Sequence, residues 1–240
     1  MTAPVPNTNN VLLVHDLGRI PYEPAYARQL QEHARVLSWR DAPDPTPAGV
    51  LLLLEHDPPV VTISRRPDAR KHLLASPDLL ARHDIEVRET DRGGDITYHG
   101  PGQLVAYPIL DLNRLHWSLH HYVRTLEEIA IRVAARFALH TRRDQGATGV
   151  WTDTPSPTDA AKLCAIGVRV KRWVTLHGLA LNVSTNLDHF SLIVPCGLTG
   201  RPVTSLRNEL GDAAPAMPDV KRALAEELTT VMADALTATR

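Results

Sequence analysis

The order of apolar and polar positions along the chain divides it into short strands and three longer helices. Val11 to Leu17 reads as a first strand closed by Gly18. Tyr22 to Trp39 carries Tyr22, Tyr26, Leu30, Ala34 and Leu37 at helical spacing, with charges on the other side. Gly49 to Glu55 is a continuous apolar run, which predicts a strand buried on both faces. His56-Asp57-Pro58-Pro59 interrupts it before Val60 to Ile63 resumes extended structure. Ile85 to Glu89 and Leu104 to Leu112 are further strands. Ser118 is placed to cap a helix reaching about Leu139, and its apolar face, Tyr122 to Phe137, is core packing. Gly149 to Thr152 reads as a short strand. Lys162 to Val170 and Trp173 to Val183 read as a hairpin turning at Lys171-Arg172. Asn186 to Leu192 holds a helical turn, and Pro218 opens a last amphipathic helix. Ala42 to Gly49 and Asp153 to Ala160 are loops, the second with an expected mobile tip. Strand-loop-strand units with helices between them predict a mixed α/β chain.

Composition narrows the function classes. At 240 residues with a formal net charge of -1, the chain suits one globular domain, expected to span 1–240 with its first ten residues disordered. Near-neutrality gives no reason to expect nucleic-acid binding. Met1 to Asn10 lacks a basic and an apolar region, so no signal peptide is read, and no apolar run is long enough to cross a bilayer. Two cysteines, Cys164 and Cys196, make no disulfide framework, and a reduced cytoplasm is the expected setting. No Cys/His spacing suggests zinc, and no cofactor is expected. Arg65, Arg66, Arg70, Lys71 and His72 form a basic cluster, which is either a solvated loop or a landing patch for an acidic partner.

The chemistry concentrates in four stretches. Asp91 to Pro108 begins Asp-Arg-Gly-Gly-Asp-Ile-Thr-Tyr-His-Gly-Pro-Gly. Its glycines let backbone approach a ligand beside the permanent cation Arg92. Thr97 and His99 fall on one face of a strand. Lys162-Leu-Cys-Ala-Ile-Gly-Val-Arg169, His177-Gly-Leu-Ala-Leu-Asn182 and Pro195-Cys-Gly-Leu198 follow in that order. A cysteine is most often a small buried hydrophobe, but Cys196 stands in a loop where Gly197 leaves room for a carbonyl. Alternation along a strand would point Lys162 and Cys164 to the same side. That leaves Cys164 as either a quiet core thiol or a partner able to resolve an oxidised Cys196.

Together these stretches resemble the octanoyltransferases, also called lipoyl(octanoyl) transferases or the lipoate–protein ligase B family, from about Leu51 to about Leu206. The chain departs from that pattern at an inserted Asp57 and at Ser64, where glycine is usual. The resemblance implies an α/β fold, a mixed sheet with packed helices like the biotin/lipoate–protein ligase catalytic domain. It implies transfer of an octanoyl group from octanoyl-acyl carrier protein, through a cysteine thioester, to a lysine of lipoyl domains. The acceptors would be 2-oxoacid dehydrogenases or the glycine cleavage H protein, and the enzyme a monomer. The implied catalytic pair is Cys196 and Lys162. The implied substrate-binding residues are Arg92, Gly93, Gly94, Asp95, Ile96, Thr97, Tyr98 and His99, then Ala165, Ile166 and Gly167, then Gly178, Leu179 and Ala180. An ammonium beside a thiol of ordinary pKa about 8.5 favours the thiolate. Once the sulfur is acylated, the lysine loses its anionic partner and can act as base toward the incoming amine. His99 either orients the substrate carbonyl or holds the loop, and His177 is expected to be structural. The rival readings are an ATP-dependent lipoate or biotin ligase of the same fold and a non-catalytic module that binds carrier domains.

Overall fold

A computed structural model describes residues 11–42, 46–154, 160–194 and 201–238. Cys196 with Pro195 and Gly197, the N-terminal ten residues and the tip of the 153–160 loop lie outside the described residues.

In chain order the elements are β1 (Leu12–Ile20), α1 (Tyr22–Ser38), β2 (Gly49–His56), β3 (Val60–Ser64), α2 (Pro77–Arg82), β4 (Glu86–Thr90), β5 (Ile96–His99) and β6 (Gln103–Leu110). Then come α3 (Leu119–Arg136), β7 (Thr141–Arg143), β8 (Val150–Thr152), β9 (Lys162–Lys171), β10 (Val174–Asn182), α4 (Leu206–Leu210) and α5 (Met217–Thr237). Seven strands form a mixed sheet in the order β1-β2-β6-β10-β9-β8-β7, and β4-β3-β5 form a second, smaller sheet. Among the described strands of the large sheet, only β1 and β2 run parallel.

The uninterrupted apolar run of β2 is explained by layers on both its faces. Val50, Leu52 and Leu54 join Val105, Tyr107 and Ile109 of β6 under α1. Leu51 and Leu53 join Leu104, Ala106 and Leu110 under α3 and α5. All are buried, and each Val, Leu or Ile among them contributes about 1.5–3 kcal/mol. A third core lies beneath the small sheet, where Ile96 and Tyr98 meet Phe190, Leu192 and Ile193.

Several expectations are corrected. The buried stripe of α1 is Tyr22, Ala25, Gln29, Glu32, His33 and Val36, whereas Leu30 is 43% exposed. Two polar side chains turn inward because strand backbone needs them. The Gln29 Oε1 accepts the His177 N–H at 2.8 Å, and the His33 Nε2 meets the Lys171 carbonyl at 3.1 Å. Gly18 does not end β1; it sits at a register shift between Asp16 and Arg19, and the strand continues to Ile20. The β9–β10 hairpin turns at Arg172-Trp173, both with positive φ, the geometry that matches strand twist. Ser118 caps α3 by accepting the His121 N–H at 3.1 Å, but the helix stops at Arg136 as Ala138 enters the left-handed region. The short elements α2, α4 and β7 carry too little periodicity to have been read. Ser64 ends β3 inside the fold, its Oγ accepting the Arg66 N–H at 3.3 Å.

Candidate active site

The site begins with a proline in a central strand. Pro108 has no N–H for the ladder, so β10 pairs with β6 only as far as Leu179 opposite Ala106. Beyond that point the Thr175 hydroxyl stands in, donating to the Pro108 carbonyl at 2.6 Å and accepting the Leu110 N–H at 2.9 Å. Between these two anchors His177 takes φ +59, which bends β10. A Cβ on Gly178 would lie 2.2 Å from the Ala106 carbonyl oxygen, so only glycine fits there. On the neighbouring strand, a Cβ on Gly167 would meet the Gly93 carbonyl oxygen at 2.8 Å. The glycine-rich loop therefore rests directly on β9, where the Gly93 N–H donates to the Val168 carbonyl at 2.9 Å.

These close approaches leave a cavity between the two sheets enclosing about 510 Å³, mouth included. Its walls are Ala165, Ile166 and Gly167 of β9, Gly178, Leu179 and Ala180 of β10, Val105 and Tyr107 of β6, and Thr97 and His99 of β5. Tyr22, Thr62, Arg92, Gly94 and His177 complete it. Arg92 is held to the small sheet, donating to the Thr62 carbonyl at 2.9 Å and to its hydroxyl at 3.0 Å.

Three histidines stand at or beside this cavity, all kept neutral by burial. His56 donates from Nδ1 to the Ile20 carbonyl at 3.2 Å and accepts the Tyr107 hydroxyl at Nε2 at 2.8 Å. Desolvation pushes it down to about 4. His177 is pushed down to about 3, by burial first and then by the cations Arg92 and Arg169. Its Nε2 meets Asp91 at 2.8 Å, and that carboxylate also takes the Tyr26 hydroxyl at 2.9 Å and Arg169. Burial, followed by His56, holds His99 well below its ordinary range. The Gln103 amide donates to the Tyr98 carbonyl and, at 2.9 Å, to the Asn182 side chain. Its oxygen is thus left to accept His99 Nδ1–H at 2.7 Å. With Nδ1 protonated and Nε2 bare, His99 has no second N–H to offer a carbonyl. The geometry favours its role in holding the loop.

Lys162 lines a smaller adjoining cavity with Gln103, Asn182, Phe190 and Val203, which shares Thr97, Ala165 and Ala180 with the first. Its backbone is clamped: its N–H donates to the Pro202 carbonyl at 2.9 Å, and its carbonyl accepts the Thr204 N–H at 3.0 Å. Its ammonium lies 4.7 Å from the centre of the Trp151 ring, and Arg201 lies 4.0 Å from the same centre. The expectation that Lys162 and Cys164 share a face is overturned by a bulge. Val150 pairs with Cys164 but Trp151 with Lys162, so Leu163 is an extra residue on β9 and the alternation slips there. Leu163 and Cys164 both pack into the core under α3, while Lys162 turns to the cavity with Ala165. Burial pushes the Cys164 thiol up to about 12. Cys164 is a core thiol.

Comparison with known proteins places this geometry. The model of the lipoyl protein ligase A/B catalytic domain matches residues 23–229. An octanoyltransferase of Cytophaga hutchinsonii is 43% identical, with 94% of each chain covered. One of Gloeobacter violaceus is 49% identical over 81% of this chain and 79% of its own. The chain belongs to the octanoyltransferase family. Members of that family are acyltransferases, and this chain is an enzyme of that class. Solved structures share the fold. A lipoate-protein ligase A bound with ATP superposes with a TM-score of 0.63 at 18% identity, covering 93% of this chain and 85% of its own. A biotin protein ligase from Aquifex aeolicus gives 0.52 at 11% identity, covering 92% and 71%.

Of the residues that the family resemblance marks as substrate-binding, ten line the larger cavity: Arg92, Gly94, Thr97, His99, Ala165, Ile166, Gly167, Gly178, Leu179 and Ala180. Gly93 lines a neighbouring groove instead. Asp95, Ile96 and Tyr98 are turned away, because strand alternation sends Ile96 and Tyr98 into the third core and Asp95 bonds His72 at 2.9 Å. Sequence reasoning missed Tyr22, Thr62, Val105 and Tyr107 as walls and Asp91 as the anchor of His177. His177, expected to be structural, lines the cavity as well. The only available signals were the position of Asp91 at the head of the glycine loop and of His177 before Gly178. Among the described residues, no helix is long and apolar enough to cross a membrane, and no cluster of His, Cys, Asp or Glu could hold a metal ion.

Proposed function

We propose that this enzyme moves an octanoyl group from octanoyl-acyl carrier protein, through a thioester on Cys196, to a lysine of a lipoyl domain. Its acceptors are the lipoyl domains of 2-oxoacid dehydrogenases or the glycine cleavage H protein, and the reaction uses no ATP. The observation that carries the reading is the pair of cavities that share Thr97, Ala165 and Ala180, the first with a small and apolar wall from β9 and β10 and the second holding Lys162. Burying about six methylenes in the first stabilises an octanoyl chain by about 5 kcal/mol, enough to discriminate against much shorter acyl groups. Lys162 lines the second cavity, and Pro202 and Thr204, which clamp its backbone, follow Cys196 closely in sequence.

The buried Lys162 ammonium supports a Cys196 thiolate, which attacks the donor thioester; sulfur replaces sulfur and the carrier leaves as its thiol. Acylation removes the anion that kept Lys162 charged. Lys162 gives its proton to the departing carrier sulfur, which leaves as the thiol, and the resulting neutral amine takes a proton from the attacking lysine.

Intact mass spectrometry after mixing with octanoyl-acyl carrier protein and no ATP tests the proposal. One octanoyl adduct is expected, mapping to the Cys196 peptide, absent from Cys196→Ser and discharged by lipoyl domain. An adduct elsewhere, or transfer by a folded Cys196→Ser protein, removes the thioester step.

A further inference from the structure

A second groove opens beside the acyl cavity, lined by Ser64, Arg65, Arg66, Asp91, Arg92, Gly93, Gly94 and Arg169. Four guanidiniums face one carboxylate here, and that carboxylate is already committed to His177, Tyr26 and Arg169. The basic cluster read from the sequence therefore splits in two. Arg70 pairs with Glu89 at 3.5 Å, Lys71 with Asp68 at 2.6 Å, and His72 with Asp95. Arg65 and Arg66 are exposed at the groove rim and, among the described residues, have no ion-pair partner. The floor between them and Arg169 includes the exposed backbone of Gly93 and Gly94, the latter at φ +94. A concave, glycine-floored groove ringed by arginines fits a small tetrahedral anion better than a flat protein face.

We propose that this groove is a phosphate subsite, which takes the phosphodiester of a 4′-phosphopantetheine arm carrying the acyl thioester. The proposal rests on the acyl-transfer reading above and names how its donor is held. Reach supports it. From Lys162 to Val168, which bonds Gly93, β9 advances about 20 Å at roughly 3.3 Å per residue. The arm has about a dozen bonds from sulfur to phosphorus and spans about 16 Å extended. A guanidinium side chain bridges the remainder. An arm laid across the top of the cleft thus puts its sulfur near Lys162 while its phosphate meets Arg65 and Arg66.

The test uses the full chain and Arg65→Ala/Arg66→Ala, two exposed residues whose loss leaves the cavities intact. Calorimetry with free 4′-phosphopantetheine, which cannot transfer an acyl group, is expected to show binding weakened about tenfold or more in the variant. Equal binding by both proteins, or by pantetheine as well as its phosphate, overturns the subsite whatever the enzyme's activity. Steady-state transfer then compares octanoyl-pantetheine with octanoyl-4′-phosphopantetheine. Wild type is expected to prefer the phosphorylated donor about tenfold or more in kcat/KM, and the variant to lose that preference with its octanoyl-pantetheine rate unchanged. A variant impaired only with the intact carrier protein means that the arginines read protein surface charge, which also overturns the proposal. No transfer by wild type from octanoyl-acyl carrier protein itself refutes the acyl-transfer reading and leaves the binding result standing by itself.

Discussion

Burying neutral histidines makes this fold sensitive to acid, and His56 allows the size of the effect to be worked out. It is fully buried, faces no carboxylate, and falls to about 4 in the folded chain. Unfolded, its pKa returns to about 6.5, so below that pH the unfolded chain binds a proton that the folded chain refuses. The folded pKa is depressed. The stability tied to neutral His56 is therefore complete above about pH 6.5 and is lost as the pH falls toward 4. Linkage puts the loss at about 2 kcal/mol at pH 5 and about 3 kcal/mol at pH 4 for this one residue. His99 and His177 act with the same sign, and a domain holds only about 5–15 kcal/mol in total. Urea unfolding at pH 8, 6.5, 5 and 4 measures this directly, on wild type and on His56→Gln, which keeps a donor and an acceptor but does not titrate. The variant is expected to be about 1–3 kcal/mol less stable at pH 8, from its altered hydrogen bonds. Between pH 8 and pH 5 it should then lose about 2 kcal/mol less than wild type. Parallel losses in the two proteins would refute the assignment of a neutral, buried His56.

Three further outcomes follow from the geometry. Lys162→Arg keeps a charge but cannot serve as base, so loading of Cys196 should persist while discharge to the lipoyl domain slows far more; rapid-quench assays showing equal slowing of both steps would reject the two-role account. Gly178→Ala drives a methyl into the Ala106 carbonyl and should cost about 1–3 kcal/mol or more by urea unfolding, against almost nothing for Gly146→Ala, whose nearest neighbour is 3.6 Å away. Cys164→Ala should leave recovery from peroxide by reductant unchanged, because Cys164 faces the core and not the cavity; loss of recovery in the variant would put the thiol back at the site.

What could be read from the chain was whatever depended on local order. The two-faced burial of Gly49 to Glu55 follows from a continuous apolar run, and the close-packed loop from its glycines. What escaped depended on partners distant in sequence. Gln29 and His33 displace Leu30 from the buried side of α1 because β9 and β10 present backbone groups needing partners. Lys162 and Cys164 part company because of pairing with β8, which no feature of the 162–169 stretch announces. Asp95, Ile96 and Tyr98 lie within the motif yet face away from the cavity, since a contiguous motif on a strand must divide between two faces.

The stacking of Lys162 and Arg201 on Trp151 gives the protein an optical channel of its own. An indole's emission responds to charge near its ring, and here one of the two adjacent cations is the lysine whose protonation the proposed reaction cycles. Trp151 is almost wholly buried, so solvent contributes little to its signal, and Trp151→Phe isolates its share from that of the other three tryptophans. Stopped-flow fluorescence can thus follow the charge on Lys162 as acyl groups arrive and leave, without a label on enzyme, donor or acceptor.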